Sequence, residues 1–337
     1  MTRLHAACPS GSPVLGAAQL GVLDDLDLTA ATGRAVGAEL AAAGVDLDLG
    51  PVADVNSNPA NPVIGTRSFG ADPALVARHV AAWSRGVQEH GVAACVKHFP
   101  GHGDTAQDSH LTLPVLDAPA TTVRRRELVP FAAAVDARVA AVMTSHLVVP
   151  ALDPDRPATF SPTVLGLLRD ELGFDGLVVS DALDMAGASA GRGVPEAAVL
   201  ALAAGADLLC TGPDKDPALV RDIGSAVVAA VGSGRLPEQR LVEAAGRVAR
   251  LRTVLPVRRP RAVANPRTGA RTDGTRGRRP AGAARRGSTA RPDRRPGGER
   301  RDTGQHRGRR AGVGDRARRR RRAGGGAATR TAGGPGP

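Results

Sequence analysis

Seventeen residues from Lys97 to Leu113 (KHFPGHGDTAQDSHLTL) bring together three histidines, a lysine and two aspartates among glycines and a proline. Asp108 stands two residues before His110. In a loop, that spacing lets the carboxylate hold one ring nitrogen while the other faces a substrate, the arrangement of a proton-transferring base and its orienting partner. A second carboxylate, Asp181, follows the apolar run GLVVS. From there it can attack or stabilise an electron-poor carbon, or simply cap a turn or helix. Each of the other polar residues also has a plain structural reading: Arg67 as a pin for its own loop, Asp54 and Asn56 likewise, His98 as a satisfied core histidine. His102, inside the glycine loop, reads as structural, and Gly101 and Gly103 predict a mobile loop that closes over its ligand. His98, His102, Asp104, His110 and His146 also admit a metal cluster. Most of these residues fall in a Pro- and Gly-rich loop rather than on strands with supporting partners, so no metal and no other cofactor is expected.

Such side chains need a rigid frame, and the chain spells one out. Short apolar runs bounded by turn residues predict strands at Val45–Val55, Ala93–His98, Val139–His146, Gly176–Asp181 and Ala206–Thr211. Between them, helical spacing predicts helices at Thr29–Ala43, Pro73–His90, Arg125–Ala137 and Ser161–Leu172, and a closing helix at Pro237–Arg252. Alternation of this kind is the pattern of repeated βα units around a parallel sheet. Asp54, Lys97, His98, His146, Asp181 and Asp184 all sit where predicted strands end, the side on which a β/α barrel places its chemistry.

The Lys97–Leu113 stretch resembles the bacterial β-N-acetylglucosaminidase branch of glycoside hydrolase family 3. So do Gly50–Gly70 (GPVADVNSNPANPVIGTRSFG), Val142–His146 (VMTSH) and Glu171–Met185 (ELGFDGLVVSDALDM). The similarity covers roughly residues 1–255. It implies a (β/α)8 TIM-type barrel with Asp181 as nucleophile and Asp108 and His110 as the acid/base dyad. Arg67, Lys97, His98 and Arg3 would hold the sugar. The implied reaction is retaining hydrolysis of terminal β-linked N-acetylglucosamine from peptidoglycan-derived or chitooligosaccharide substrates, with water or phosphate left open as acceptor. Members of that family carry an opening strand and a DQEGG-type block before the residues matching the TRL here. The first one or two barrel strands and a sugar-binding aspartate are therefore expected to be missing. A truncated, non-catalytic sugar-binding remnant is the competing expectation.

Charge divides the chain. Residues 257–337 hold 25 arginines against five acidic residues, a surplus of +20, so the formal +12 of the whole leaves residues 1–256 at −8. The basic segment contains no Leu, Ile, Met, Phe, Trp, Tyr or Cys and predicts a disordered tail after a domain spanning 1–255. A frameshifted reading of a GC-rich gene accounts best for its composition, ahead of a solvated linker. A nucleic-acid-binding arm is the weakest reading, since the tail lacks the Phe, Tyr and Trp that RNA-binding arms often use for stacking. It would demand binding that falls steeply with salt and vanishes on removal of 257–337. Cys8, Cys95 and Cys210 lack any metal-ligand or disulfide spacing and read as free thiols. No run of about 18 apolar residues and no secretory leader is legible, so no membrane contact and a cytoplasmic location are expected of the chain as written, while a longer form could be exported. The oligomeric state stays open.

Overall fold

Period-two alternation within the apolar runs determines which side chains meet. In the computed structural model, which describes residues 14–106 and 113–254, two helices, α1 (Ala17–Leu23) and α2 (Leu26–Ala42), precede the first strand, β1 (Leu47–Asp48). Next come α3 (Pro73–Gln88), β2 (Ala93–Phe99), a π-helical turn at Val123–Glu127 running into α4 (Val129–Asp136), and β3 (Ala141–Thr144). A short antiparallel ribbon of β4 (Val148–Val149) and β5 (Asp153–Pro157) follows, then α5 (Pro162–Gly166), β6 (Leu177–Ala182), α6 (Ala186–Ser189) and α7 (Val194–Ala204). The described chain closes with β7 (Leu208–Cys210), α8 (Pro217–Gly232) and α9 (Glu238–Val254). These residues all belong to the unit Met1–Gly269. Arg3, Asp108, His110, Cys8 and the arginine-rich tail lie outside the described residues.

Helix starts follow their sequence signals. Asp25, Asp72, Asp216 and Ser161 each accept a backbone N–H in the first turn of α2, α3, α8 and α5, and in the last three a proline follows at the position where no donor is needed. The predicted helix from Ser161 to Leu172 is α5 followed by a π-helical turn at Leu167–Glu171, and α4 is likewise preceded by one, so both are shorter than helical spacing alone suggests.

The sheet is parallel, in the order β1-β2-β3-β6-β7. Ala94, Val96, Val142 and Val178 join the main core with Val80 and Trp83 of α3 and Phe131 of α4. The alternate residues Cys95, Ala141, Met143, Leu177 and Val179 form a second cluster on the other face, with Val248 and Leu251 of α9 packed against it. This is an α/β fold with a curled parallel sheet. The sequence suggested an eight-stranded ring short of its first strands. Among the described residues β1 and β7 pair on one side only, so the sheet has two edges and is not closed. No helix among the described residues is long and apolar enough to cross a membrane.

Asp207, just before β7, ties α9 to this sheet. Its fully buried carboxylate meets Arg169 at 2.7 Å, Arg247 at 3.1 Å and Arg240, and it also accepts the Val178 N–H at 2.9 Å. Asp207→Ala would leave three partly buried guanidinium groups without their shared counter-charge. A loss of about 2–3 kcal/mol in unfolding free energy is expected after allowing for their solvent contact, measurable by urea titration.

Candidate functional site

Strand alternation also places the reactive groups. Leu177 and Val179 point to the face that bears Cys95, and the next residues in the same phase are Asp181 on β6 and Lys97 on β2. Both therefore stand at C-terminal strand ends on one side of the sheet, next to strand ends that supply His146 and Asp54.

Asp54 organises the centre. Its carboxylate is completely buried and accepts the His98 N–H at 3.2 Å, the His102 N–H at 2.7 Å and the His98 Nδ1 proton at 2.7 Å. Burial pushes this carboxyl up, but the neighbouring His98 and His102, which both hydrogen-bond to it, outweigh burial and hold it below the usual range. With Nδ1–H committed to Asp54, His98 Nε2 is the lone-pair nitrogen. It receives Arg67 Nη2 at 3.4 Å, which suits a guanidinium that can only donate. Arg67 also donates to the Val63 carbonyl at 3.2 Å, so it pins its own loop and reaches the site. The Lys97–His98 and Phe99–Pro100 peptide bonds flanking this histidine are cis.

The Lys97 ammonium has no hydrogen-bond or ion-pair partner among the described residues. Burial and the nearby Arg67 push its ammonium below its usual pKa, against the opposing pull of Asp181 and Asp48. Asp181 is only partly buried. Its Oδ1 accepts the Ala182 N–H at 2.8 Å, and its own N–H donates to Thr144 Oγ1 at 3.3 Å. Burial raises its carboxyl, but His98, His146, the Ala182 N–H and Lys97 together bring it below the ordinary value, so it is ionised at neutral pH.

The structure thus gathers Asp181, Lys97, His98 and Arg67 at one end of the sheet. Asp108, His110 and Arg3 lie outside the described residues. The segment leading to Asp108 is firmly based. Asn61 Nδ2 donates to the His102 carbonyl at 2.8 Å, Asn58 Nδ2 to the Asp104 carbonyl at 3.2 Å, and Ser57 and Arg126 both hold the Asp104 carboxylate. Gly101 and Gly103 were expected to confer mobility, but the structure gives them another reason. Gly101 has φ +135°, and a Cβ on Gly103 would stand 1.8 Å from the Val55 carbonyl oxygen. They permit tight packing at the base of the loop.

His102 is structural in the sense expected, with its Nδ1 2.7 Å from Thr105 Oγ1. Both ring nitrogens of His146 are occupied by Thr159 and the Ala182 carbonyl. His98 and His146 thus have both ring nitrogens committed to protein partners, while His102 Nε2 is buried without one among the described residues. Among the described residues no three His, Cys, Asp or Glu side chains are grouped to hold a metal ion.

Sequence reasoning missed two groups. Asp48 on β1 is pushed up by burial and pulled back by Lys97, and the alternation DLDL at 46–49 was the signal that it shares a half-buried strand with Leu47. Glu127, behind the loop base, pairs with Arg126 at 2.5 Å and is pushed up by burial to about 7. Because its folded pKa lies above its ordinary 4.5, the folded state binds the extra proton between those values and stability falls as pH rises from 4.5 to 7. Glu127→Gln should remove that slope, shifting the stability difference in the variant's favour by about 3 kcal/mol across the interval, as read by chemical denaturation at several pH values.

A cleft of about 480 Å³ adjoins the site, lined by residues that include Asp48, Arg67, Phe69, Trp83 and Lys97, though not Asp181 or His98. Its size is that of a small-molecule site.

Residues 12–251 match the glycosyl hydrolase family 3 N-terminal domain. Over 191 residues the chain is 44% identical to a beta-hexosaminidase of Thiobacillus denitrificans, covering 56% of this chain and 53% of that protein. It is 36% identical over 239 residues to beta-hexosaminidase A of Pseudoalteromonas piscicida, covering 66% of this chain and 40% of the relative. Among solved structures, a glycoside hydrolase family 3 beta-N-acetylglucosaminidase from Paenibacillus sp. str. FPU-7 superposes with a TM-score of 0.71 at 44% identity, over 73% of this chain and 47% of that one. The chain spans about half the length of the relatives it matches.

Proposed function

Since the chain belongs to the glycosyl hydrolase family 3 N-terminal domain family, we propose that it is a retaining glycoside hydrolase. In this reading it removes terminal β-linked N-acetylglucosamine from peptidoglycan-derived or chitooligosaccharide substrates. Asp181 attacks the anomeric carbon while His110, oriented by Asp108, protonates the departing oxygen. The same histidine then takes a proton from the water that releases the sugar from Asp181. Arg67, Lys97 and His98 hold the sugar, and Arg3 adds a further contact.

One observation carries the reading: a carboxylate at a strand end with one oxygen tethered to the Ala182 N–H and its pKa held below the ordinary value at the sheet end it shares with Lys97. Such a group is aimed, anionic and reachable, as a nucleophile must be. The Lys97 ammonium, without a protein partner among the described residues, offers its three donors to hydroxyl groups.

The test is hydrolysis of an aryl β-N-acetylglucosaminide by the full chain, with the first-formed sugar followed by NMR. Release of the β-anomer is expected, and release of the α-anomer would overturn the retaining mechanism. Tight sugar binding without turnover would favour a non-catalytic remnant. His110→Ala should spare the first step for substrates with good leaving groups and slow it at least tenfold for poor ones, since only the latter need a proton on the departing oxygen.

A further inference from the structure

Beneath Asp181 lies a closed circuit of hydrogen bonds. The Asp181 N–H donates to Thr144 Oγ1 at 3.3 Å, and Thr144 Oγ1 is 2.8 Å from Thr159 Oγ1. Thr159 Oγ1 is 2.9 Å from His146 Nδ1, and His146 Nε2 is 3.0 Å from the carbonyl of Ala182, the residue after the one where the circuit began. Thr144, His146 and Thr159 are each 0% exposed. The members come from three places: the end of β3, the end of β6, and the 3-10 turn Ala158–Phe160 that follows β5.

Donor arithmetic gives the circuit a direction. A carbonyl only accepts, so His146 Nε2 carries the proton donated to Ala182. Burial pushes His146 below its usual pKa, against the pull of the Asp181 carboxylate, so the ring is neutral and Nδ1 is a lone pair. Thr159 must then donate to Nδ1, Thr144 donates to Thr159, and Thr144 is left to accept from Asp181. The alternative acceptor for the Thr159 hydroxyl, the Ser145 carbonyl at 3.0 Å, would require a second proton on a buried ring.

We propose that Thr144, Thr159 and His146 are positioning residues for Asp181: their relay clamps the Asp181–Ala182 peptides and so aims the carboxylate oxygen that is not bound to the Ala182 N–H. This deepens the reading of Asp181 as nucleophile and rests on it. It also gives the β4–β5 ribbon a purpose, because the ribbon delivers Thr159 to the back of the site.

Thr159→Val and Thr159→Ser in the full chain test it, since valine keeps the volume and removes only the hydroxyl. With an aryl β-N-acetylglucosaminide, Thr159→Val should lower kcat by about 10–100-fold, the scale of a misplaced reacting group, with KM within about twofold. Thr159→Ser should restore kcat. In parallel, the 13C resonance of the Asp181 carboxylate should titrate at higher pH in Thr159→Val than in wild type, and the His146 ring should show a neutral Nε2–H form in wild type by 15N NMR. A Thr159→Val kcat within twofold of wild type, or an Asp181 titration that does not move, overturns the proposal. If the wild type turns nothing over, the hydrolase reading fails while the two NMR measurements still decide the clamp. Should Thr159→Val not fold, His146→Gln, which keeps a donor for Ala182 but severs Thr159, takes its place.

Discussion

Replacement of Asp181 by alanine should lower turnover of an aryl β-N-acetylglucosaminide by at least about 10⁴-fold, the scale on which loss of a covalent nucleophile is felt. The argument is geometric before it is electrostatic. One oxygen of the carboxylate is fixed to the Ala182 N–H and the peptide is tied to Thr144, so the other oxygen is held in one orientation. The space left by the side chain should admit a small anion such as azide, and rescue giving an α-glycosyl azide would identify the missing group as the attacking one. Equal rates for wild type and variant would remove Asp181 from the mechanism. Its lowered pKa adds a second expectation: between pH 5 and 8 Asp181 remains anionic, so any bend in the pH profile of kcat/KM there must come from another group.

The second large effect belongs to Asp54. Three buried donors converge on its carboxylate, and Asp54→Ala leaves all of them unsatisfied. A loss of about 4 kcal/mol in stability is expected, together with loss of sugar affinity as His98 is freed to rotate away from Arg67. Asp54→Asn is the sharper variant. It keeps the volume, but its amide nitrogen would face the donors that now meet an oxygen. The pH signature has a definite sign. The folded pKa lies below the ordinary 3.8, so Asp54's contribution is complete above that value and is lost only as acid protonates the folded state. A destabilisation of Asp54→Asn that is constant from pH 5 to 8 fits this account. One that disappears at pH 6 does not.

The frame was largely legible because apolar runs and capping residues are local signals. Each predicted strand falls on an observed one, though β1, β3 and β7 are shorter: Val45–Val55 contains only Leu47–Asp48 and an isolated bridge from Val52 to Lys97. The β4–β5 ribbon escaped notice because DPDRP has neither β-branched residues nor alternation, and it is held instead by packing against the segment after β3. The π-helical turns were equally hidden, since helical spacing does not distinguish one extra residue per turn. Within the site, the residues that touch a ligand in the family pattern could be picked out from motifs. Those that hold them in place could not: Thr159 lies 15 residues from Thr144 and 22 from Asp181, and only folding brings the three together. Asp54 had been read as pinning its own loop, whereas its partners are His98 and His102, 44 and 48 residues downstream.

The strand order has a consequence for how the molecule is made. Because β1, β2, β3, β6 and β7 are neighbours in the same sequence in which they leave the ribosome, each can add to the growing edge of a sheet already formed, without waiting for later chain. Among the described residues α9 then reaches back, carrying Arg240 and Arg247 to Asp207 and packing Val248 and Leu251 against the face that bears Cys95. A nascent chain stalled before Glu238 should therefore hold its strands in order yet remain open to proteases, and release of the last seventeen described residues should close it.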